Sequence, residues 1–350
     1  MARREDHRGN NFDALRLGAA LSVLLTHAIL IGENRIDTDP LMLATGGQCT
    51  AGVAGVFLFF VISGYLVTGS AAATGSTVRF LLKRALRIYP GLAACLLVLA
   101  LILGPLATAL PWSAYFPARG TWDFIVQNLA MNVDVNTLPG VRFTGFAAGR
   151  VVDGSLWSLP AELVMYLLVA GLGALNLLRL RVIALMIGLG ITADLADTAS
   201  WHTVFGNALW LMPFFAVGMA LWTLRTQPVF TARTAFLALA LLALSVPLRL
   251  FIPAFALAGG YLAIYLARIG RVHVSAARFG DLSYGLYIYG WPAEQAVTRT
   301  LGGAAPWWEV LALALPPTFA LAFLSWHLVE APALRLKTTP YLRRAAALRM

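Results

Sequence analysis

Charged side chains are scarce in this sequence: Asp, Glu, Lys and Arg make up 12% of 350 residues, about half the usual share of a soluble domain. That shortage excludes a disordered chain, a coiled coil and, despite a formal net charge of +10, a nucleic-acid-binding protein. Cysteine is nearly absent: Cys49 and Cys95 are too few for a disulfide framework or a zinc site, and Cys95 falls in an apolar run where a thiol packs. The five histidines show no HExxH or other metal-ligand spacing, and His7, His202 and His273 fall in expected loops. No internal repeat, low-complexity run or soluble domain is visible. Apolar residues take the place of charge, at 59% hydrophobic and 11% aromatic, with a mean hydropathy of +0.76.

Those residues gather into runs of about 20, the length a helix needs to cross a bilayer. Spans are expected at 15–32, 52–70, 88–110, 155–175, 182–196, 203–224, 234–247, 250–267, 279–297 and 308–328, the fifth and seventh being short. The expected fold is therefore all-α and integral to the membrane, a polytopic bundle of about ten transmembrane helices. The basic start and first apolar run are shaped like a signal peptide. No small-residue cleavage pattern follows and many more apolar runs do, so the first span is read as uncleaved. With the N-terminus inside, twenty of the 26 Lys and Arg fall on the inner side. Arg35, Arg119, Arg142, Arg150, Arg249 and Arg299 fall outside. Such a bias expects both termini in the cytoplasm. Residues 1–335 form one membrane domain, and 336–350 a basic cytoplasmic tail suited to anionic lipid. Two long outer loops are expected, 33–51 and 111–154. Trp112, Tyr115, Phe116, Trp122 and Phe143 in the second read as interface anchors or as stacking surfaces for a sugar.

An ionisable group at membrane depth costs about 2.5–3.5 kcal/mol on insertion scales, so each one needs a reason. Arg16 and His27 are eleven residues apart, nearly three turns, and share a face of the first helix with a rise of roughly 16 Å between them. Asp13 precedes them at the inner mouth. In the second span Ser63 and Gly64 interrupt bulky residues, and small residues there admit another backbone or a ligand. In VRFLLKRALRIYP, residues Arg79, Lys83 and Arg87 fall at i, i+4 and i+8 with Arg84 beside them. This cationic stripe suits either inner-side topology or clustered phosphates, and Pro90 marks a kink or the entry to the third span. Glu162 lies near the outer end of the fourth span, one turn from Tyr166, and must pair, protonate or work. Tyr284, Tyr287 and Trp291 form a stripe on the ninth span that either packs or lines a polar cavity. His327 and Glu330 read as a boundary pair at the inner end of the last helix.

Together these segments resemble the acyltransferase-3 family of ten-helix membrane O-acyltransferases, which modify surface glycans and some antibiotics. The matching pieces are FDALRLGAALSVLLTH with its Arg-x10-His spacing, FFVISGYL, FLLKRALRIYP, GSLWSLPAELVMY, LSYGLYIYGWP and HLVEAPALRL, in the family's order along the chain. One departure is visible: many relatives carry a His before the Trp-Pro of the ninth span, and this chain has Gly290. The esterase-like extension of some members is not seen before Met350.

The resemblance implies acyl transfer from cytoplasmic acyl-CoA, acetyl-CoA being expected, to a hydroxyl of a cell-surface or lipid-linked glycan. No permanently bound cofactor and no metal are expected. His27 and Arg16 match the family's first-helix pair, and Arg84, Arg87, Ser63, Tyr65, Trp157 and Glu162 fall on other motif positions. The expected roles are His27 as general base, Glu162 (or, less suitably, Asp13) orienting it, and Arg16 binding the donor or stabilising negative charge. Arg79, Lys83, Arg84, Arg87, Ser63 and Tyr65 would bind the donor. Asp13, Trp157, Ser158, Tyr166, Tyr284 and Tyr287 would line the pocket. Direct transfer and an acyl-enzyme are both open, as are chain length and oligomeric state. Two alternatives stand beside this reading: an acceptor sugar on a small secondary metabolite such as a macrolide, and a transporter or flippase, for which pseudo-symmetric halves are expected. The resemblance puts the protein in the bacterial cytoplasmic membrane.

Overall fold

A computed structural model describes residues 11–196, 203–268 and 280–336. His7, His202, His273, Phe279, the arginines at 3, 4, 8, 271 and 278, and the tail from Lys337 lie outside those residues. The described chain is helical, its one extended pairing a single bridge between Thr108 and Val141. Eleven helices carry the architecture: α1 Phe12–Glu33, α2 Ala51–Thr74, α3 Thr77–Ala107, α4 Arg119–Leu129, α5 Gly154–Ala174, α6 Leu180–Leu195, α7 Val204–Thr223, α8 Ala232–Ser245, α9 Phe251–Arg268, α10 Ser283–Thr300 and α11 Trp307–Arg335. Hydroxyl side chains start several of them. Thr50 accepts from Val53 N at the head of α2, Thr203 from Gly206 N in α7, and Thr231 from Thr234 N in α8, each satisfying an amide that has no partner within the helix.

Seven helices among the described residues are long and apolar enough to cross a membrane: α1, α2, α3, α5, α7, α9 and α11. The other three expected spans do form helices, but α6 has 16 residues and α8 has 14. The 18-residue α10 spends its length on buried polar groups, Ser283, Glu294, Gln295 and Thr298. The third span starts earlier than expected. Its helix runs unbroken from Thr77 through Pro90, so the cationic stripe belongs to α3 itself.

The helices come together through small residues. A Cβ on Gly64 of α2 would stand 2.0 Å from Phe215 O of α7, and one on Gly218 of α7 would stand 2.1 Å from Val61 O. Backbone meets backbone there, and Phe57 stacks on Phe214 at 3.7 Å between ring centroids. Large apolar side chains such as Leu106, Leu185, Phe205, Phe236 and Leu244 point outward instead, an arrangement suited to lipid.

Two loops close over one end. Asp39, fully buried, accepts from the amides of Leu41, Met42 and Ala51 and from the Thr26 hydroxyl, whose oxygen accepts in turn from Gly52 N at 2.7 Å. The longer loop is no loose strap. It contains α4 and the buried Tyr115, Thr121, Phe124 and Asn128. It is tied to α10, where Trp291 donates to Val151 O at 3.0 Å and Gln295 donates to Ala148 O at 2.6 Å. Trp112 and Trp122 stay exposed with their indole N–H groups bonded to Pro105 O and Phe116 O.

Candidate active site

The close approach of α1, α2, α5 and α10 leaves a cavity of about 70 Å3 inside the bundle. Its wall is His27 with Val23 and Thr26 from α1, Thr50 at the head of α2, Gly52, Val53 and Val56 from α2, Trp157 from α5, and Tyr287 from α10. His27 is 12% exposed; its Nδ1 is buried without a hydrogen bond. Trp291 packs its ring edge-on against the imidazole, 4.8 Å between centroids. Tyr287 shares a 2.7 Å hydrogen bond with Ser158 beneath the cavity. Of the residues expected to line the pocket, Trp157 and Tyr287 do so and Ser158 supports Tyr287.

The carboxylate beside His27 is Glu294 on α10. Its Oε2 is 3.9 Å from Nδ1, the side chain is fully buried, and neither oxygen has a hydrogen-bond partner. Neither expected orienter takes this place. Glu162 accepts from Tyr166 Oη and from Ser63 Oγ at 3.3 Å, so the fourth-span carboxylate serves the α2–α5 contact. Asp13 pairs with Arg16 and is about 21 Å along α1 from His27.

Arg16 belongs to a different assembly, at the opposite end of the helix. Asp281, just before α10, takes Arg16 at 3.1 Å and Arg87 at 2.7 Å, and Arg87 reaches Glu330 of α11 at 3.4 Å. Four helices are thereby clasped by one ion cluster, with Ser325 donating to Glu330 at 2.8 Å and Tyr284 donating to Ile88 O at 3.0 Å. Tyr284 thus stands with Arg87 rather than with the cavity. Glu330 is not paired with His327, which is bonded to Phe323 O.

The rest of the stripe divides. Lys83 donates to Thr74 at 3.1 Å and Arg84 to Ser70 at 3.3 Å, with the Arg84 guanidinium also over the Tyr166 ring at 5.8 Å. Arg79 is half-buried on the same helix. Lys83 and Arg84 face the α2–α5 side, whereas Arg87 turns to α10 and α11. Tyr65 accepts from Arg268 at 3.2 Å and stacks near Phe12.

The profile of the acyltransferase-3 family, described as an acyltransferase domain, matches residues 10–327. The chain belongs to that family. An O-acetyl transferase of Shigella phage Sf6 is 28% identical over 336 residues, spanning 93% of this chain and 96% of its own length. Nodulation protein 10 of Rhizobium leguminosarum bv. viciae is 30% identical over 376 residues, spanning 97% of this chain and 96% of its own. No solved structure matches. The protein is a multi-pass membrane O-acyltransferase, transferring groups other than amino-acyl groups from an acyl donor to a hydroxyl acceptor.

Gly290 lies where α10 packs against α1. A Cβ at 290 would stand 2.7 Å from Leu24 Cδ1, so a side chain there has to displace Leu24 of α1, nearly one turn before His27. Glu294, Asp153 and Asp39 are buried carboxylates that the reading of the sequence passed over. Glu294 falls inside the expected ninth span, and the rule that an intramembrane charge needs a reason would have found it.

Proposed function

We propose that this acyltransferase moves an acetyl group from acyl-CoA on the cytoplasmic side to a hydroxyl of a cell-surface or lipid-linked glycan, at the cell membrane. The observation that carries the reading is an imidazole, His27, on the wall of a cavity within a membrane-embedded helix bundle. Imidazole is the side chain best suited to take and return a proton near neutral pH. In the reaction the acceptor hydroxyl gives its proton to His27 as its oxygen attacks the thioester carbonyl. The tetrahedral intermediate collapses with loss of the coenzyme A thiolate, which takes the proton back. One C–O bond forms, one C–S bond breaks, and the base is regenerated. A positioned base of this kind contributes about 10²–10⁴-fold.

The donor side is read from charge. The Lys and Arg bias favours the cytoplasmic face for the α3 stripe, where Arg79, Lys83 and Arg84 would offer donors for coenzyme A phosphates. Arg16, held in the Asp281 cluster, would meet the donor's arm on its way toward His27. The choice of an acetyl group rests on the phage relative, whose name is O-acetyl transferase.

The test is to incubate membranes containing the protein with acetyl-labelled acetyl-CoA and a panel of glycans. Label recovered as a base-labile hydroxyl ester on a glycan is the expected result. Movement of a substrate across the membrane with no acetyl-CoA consumed would replace this reading with transport.

A further inference from the structure

We propose that Glu294 is the positioning residue for His27, fixing the imidazole with its proton on Nδ1 so that Nε2 faces the acceptor hydroxyl. This rests on the general-base reading of His27 given above. Buried polar atoms in folded proteins almost always have partners, and here two orphans face each other. Both Glu294 oxygens and His27 Nδ1 are buried and unbonded, with Oε2 and Nδ1 3.9 Å apart. A carboxylate with no hydrogen-bond partner other than a catalytic ring is poor structural glue, because replacing it by an apolar side chain would remove a desolvation cost. Its place is explained by what happens when the ring gains a proton. The gap closes to hydrogen-bond length, Nδ1–H donates to the carboxylate, and the imidazolium charge is balanced inside the membrane.

The local architecture serves that movement. Gly290 and Glu294 are one turn apart on α10, and Leu24 and His27 are nearly one turn apart on α1. At Gly290 the Leu24 side chain packs directly on the α10 backbone, beside the carboxylate and the ring. Trp291, held by its N–H to Val151 O, packs at a right angle to the imidazole, and Gln295, held by Ala148 O, fixes the next residue of the same turn. With Nδ1 committed to Glu294, the remaining nitrogen is Nε2. The logic is that of a base held by a buried carboxylate, in which the carboxylate sets the tautomer and takes no proton itself.

The experiment uses the full-length protein in detergent or nanodiscs with two readouts. In the first, 15N-histidine labelling reports the tautomer of His27, its signal assigned by loss in H27Q. The expected state is Nδ1–H in the wild type, lost or mixed in E294A. A wild-type ring carrying its proton on Nε2 would overturn the proposal whether or not the enzyme is active. In the second, kcat and KM are measured for wild type, E294Q, H27Q and the double variant. E294Q is expected to lower kcat by roughly 10²-fold with KM for both substrates little changed, and to cause no further loss in the H27Q background. Equal losses in the two backgrounds would assign Glu294 a role independent of His27. If H27Q keeps wild-type turnover while the tautomer result stands, the general-base reading fails and the His27–Glu294 pairing survives.

Discussion

His27 and Arg87 illustrate two ways in which a membrane protein uses an ionisable side chain. His27 lines a cavity, with Nδ1 buried, without a hydrogen bond and 3.9 Å from Glu294 Oε2. Arg87 is spoken for, clasped between Asp281 and Glu330. R87A, which leaves two carboxylates without their shared cation, should destabilise the fold by about 3 kcal/mol, seen as a lower melting temperature and poorer yield. R84A should leave the melting temperature unchanged and raise KM for the acyl donor several-fold. A pattern reversed between these two arginines would put the donor site at the Asp281 cluster instead.

Asp153, which heads α5 from outside the span, adds a pH test. Burial pushes its carboxyl up to about 7 against the pull of the Ser155 amide hydrogen bond, from about 3.9 in an unfolded chain. The folded state therefore holds this proton more tightly. The stability it contributes is complete below about pH 4 and is lost as the pH rises to about 7. D153N keeps an oxygen for Ser155 and cannot ionise. Its melting temperature should therefore gain on the wild type between pH 4 and pH 7 and run parallel to it above pH 8.

At the scale of the helices, close contacts set the geometry. G64A in α2 or G218A in α7 puts a methyl group onto a facing backbone carbonyl, where no side chain can move aside. Either change should cost at least about 1–3 kcal/mol and broaden the monodisperse peak in size-exclusion chromatography. G290H meets a side chain, Leu24, so its effect should be partly relieved by L24A; rescue of acyl transfer in the double variant is the measurement.

These contacts also mark what the sequence could and could not tell. The spans of α1, α2, α3, α5 and α7 were legible because a bilayer imposes a run length on apolar residues. Gly64 was legible as a point of close approach because a small residue stood out among Phe, Val and Ile. The Arg87–Glu330 bond joins residues 243 positions apart, and no local pattern predicts which of several arginines a distant carboxylate will meet. Glu294 was obscured for the same reason. It lies inside the expected ninth span, but the ring it faces is His27, 267 positions away, and no local pattern announces that pair. Glu162, by contrast, was rightly singled out as needing a partner, and its partners are Tyr166 and Ser63.

At the scale of the whole molecule, orientation and vectorial chemistry are one question. The arginine bias predicts that Ser113, exposed in the long loop, lies outside the cell and that Thr77, exposed at the start of α3, lies inside. In intact cells an impermeant maleimide should label S113C and spare T77C, with Cys49 and Cys95 buried and silent. Labelling of T77C alone would invert the topology and with it the donor side.

In the proposed reaction His27 links a donor on one face to an acceptor on the other. Sealed vesicles of defined orientation, given labelled acetyl-CoA on the α3-stripe face only and glycan acceptor on the opposite face only, test that link directly. Wild-type protein should deposit label as ester on the far-side glycan, and H27Q should deposit none while remaining folded in the membrane. Undiminished ester formation by H27Q, or ester formed only when donor and acceptor share a face, would contradict it.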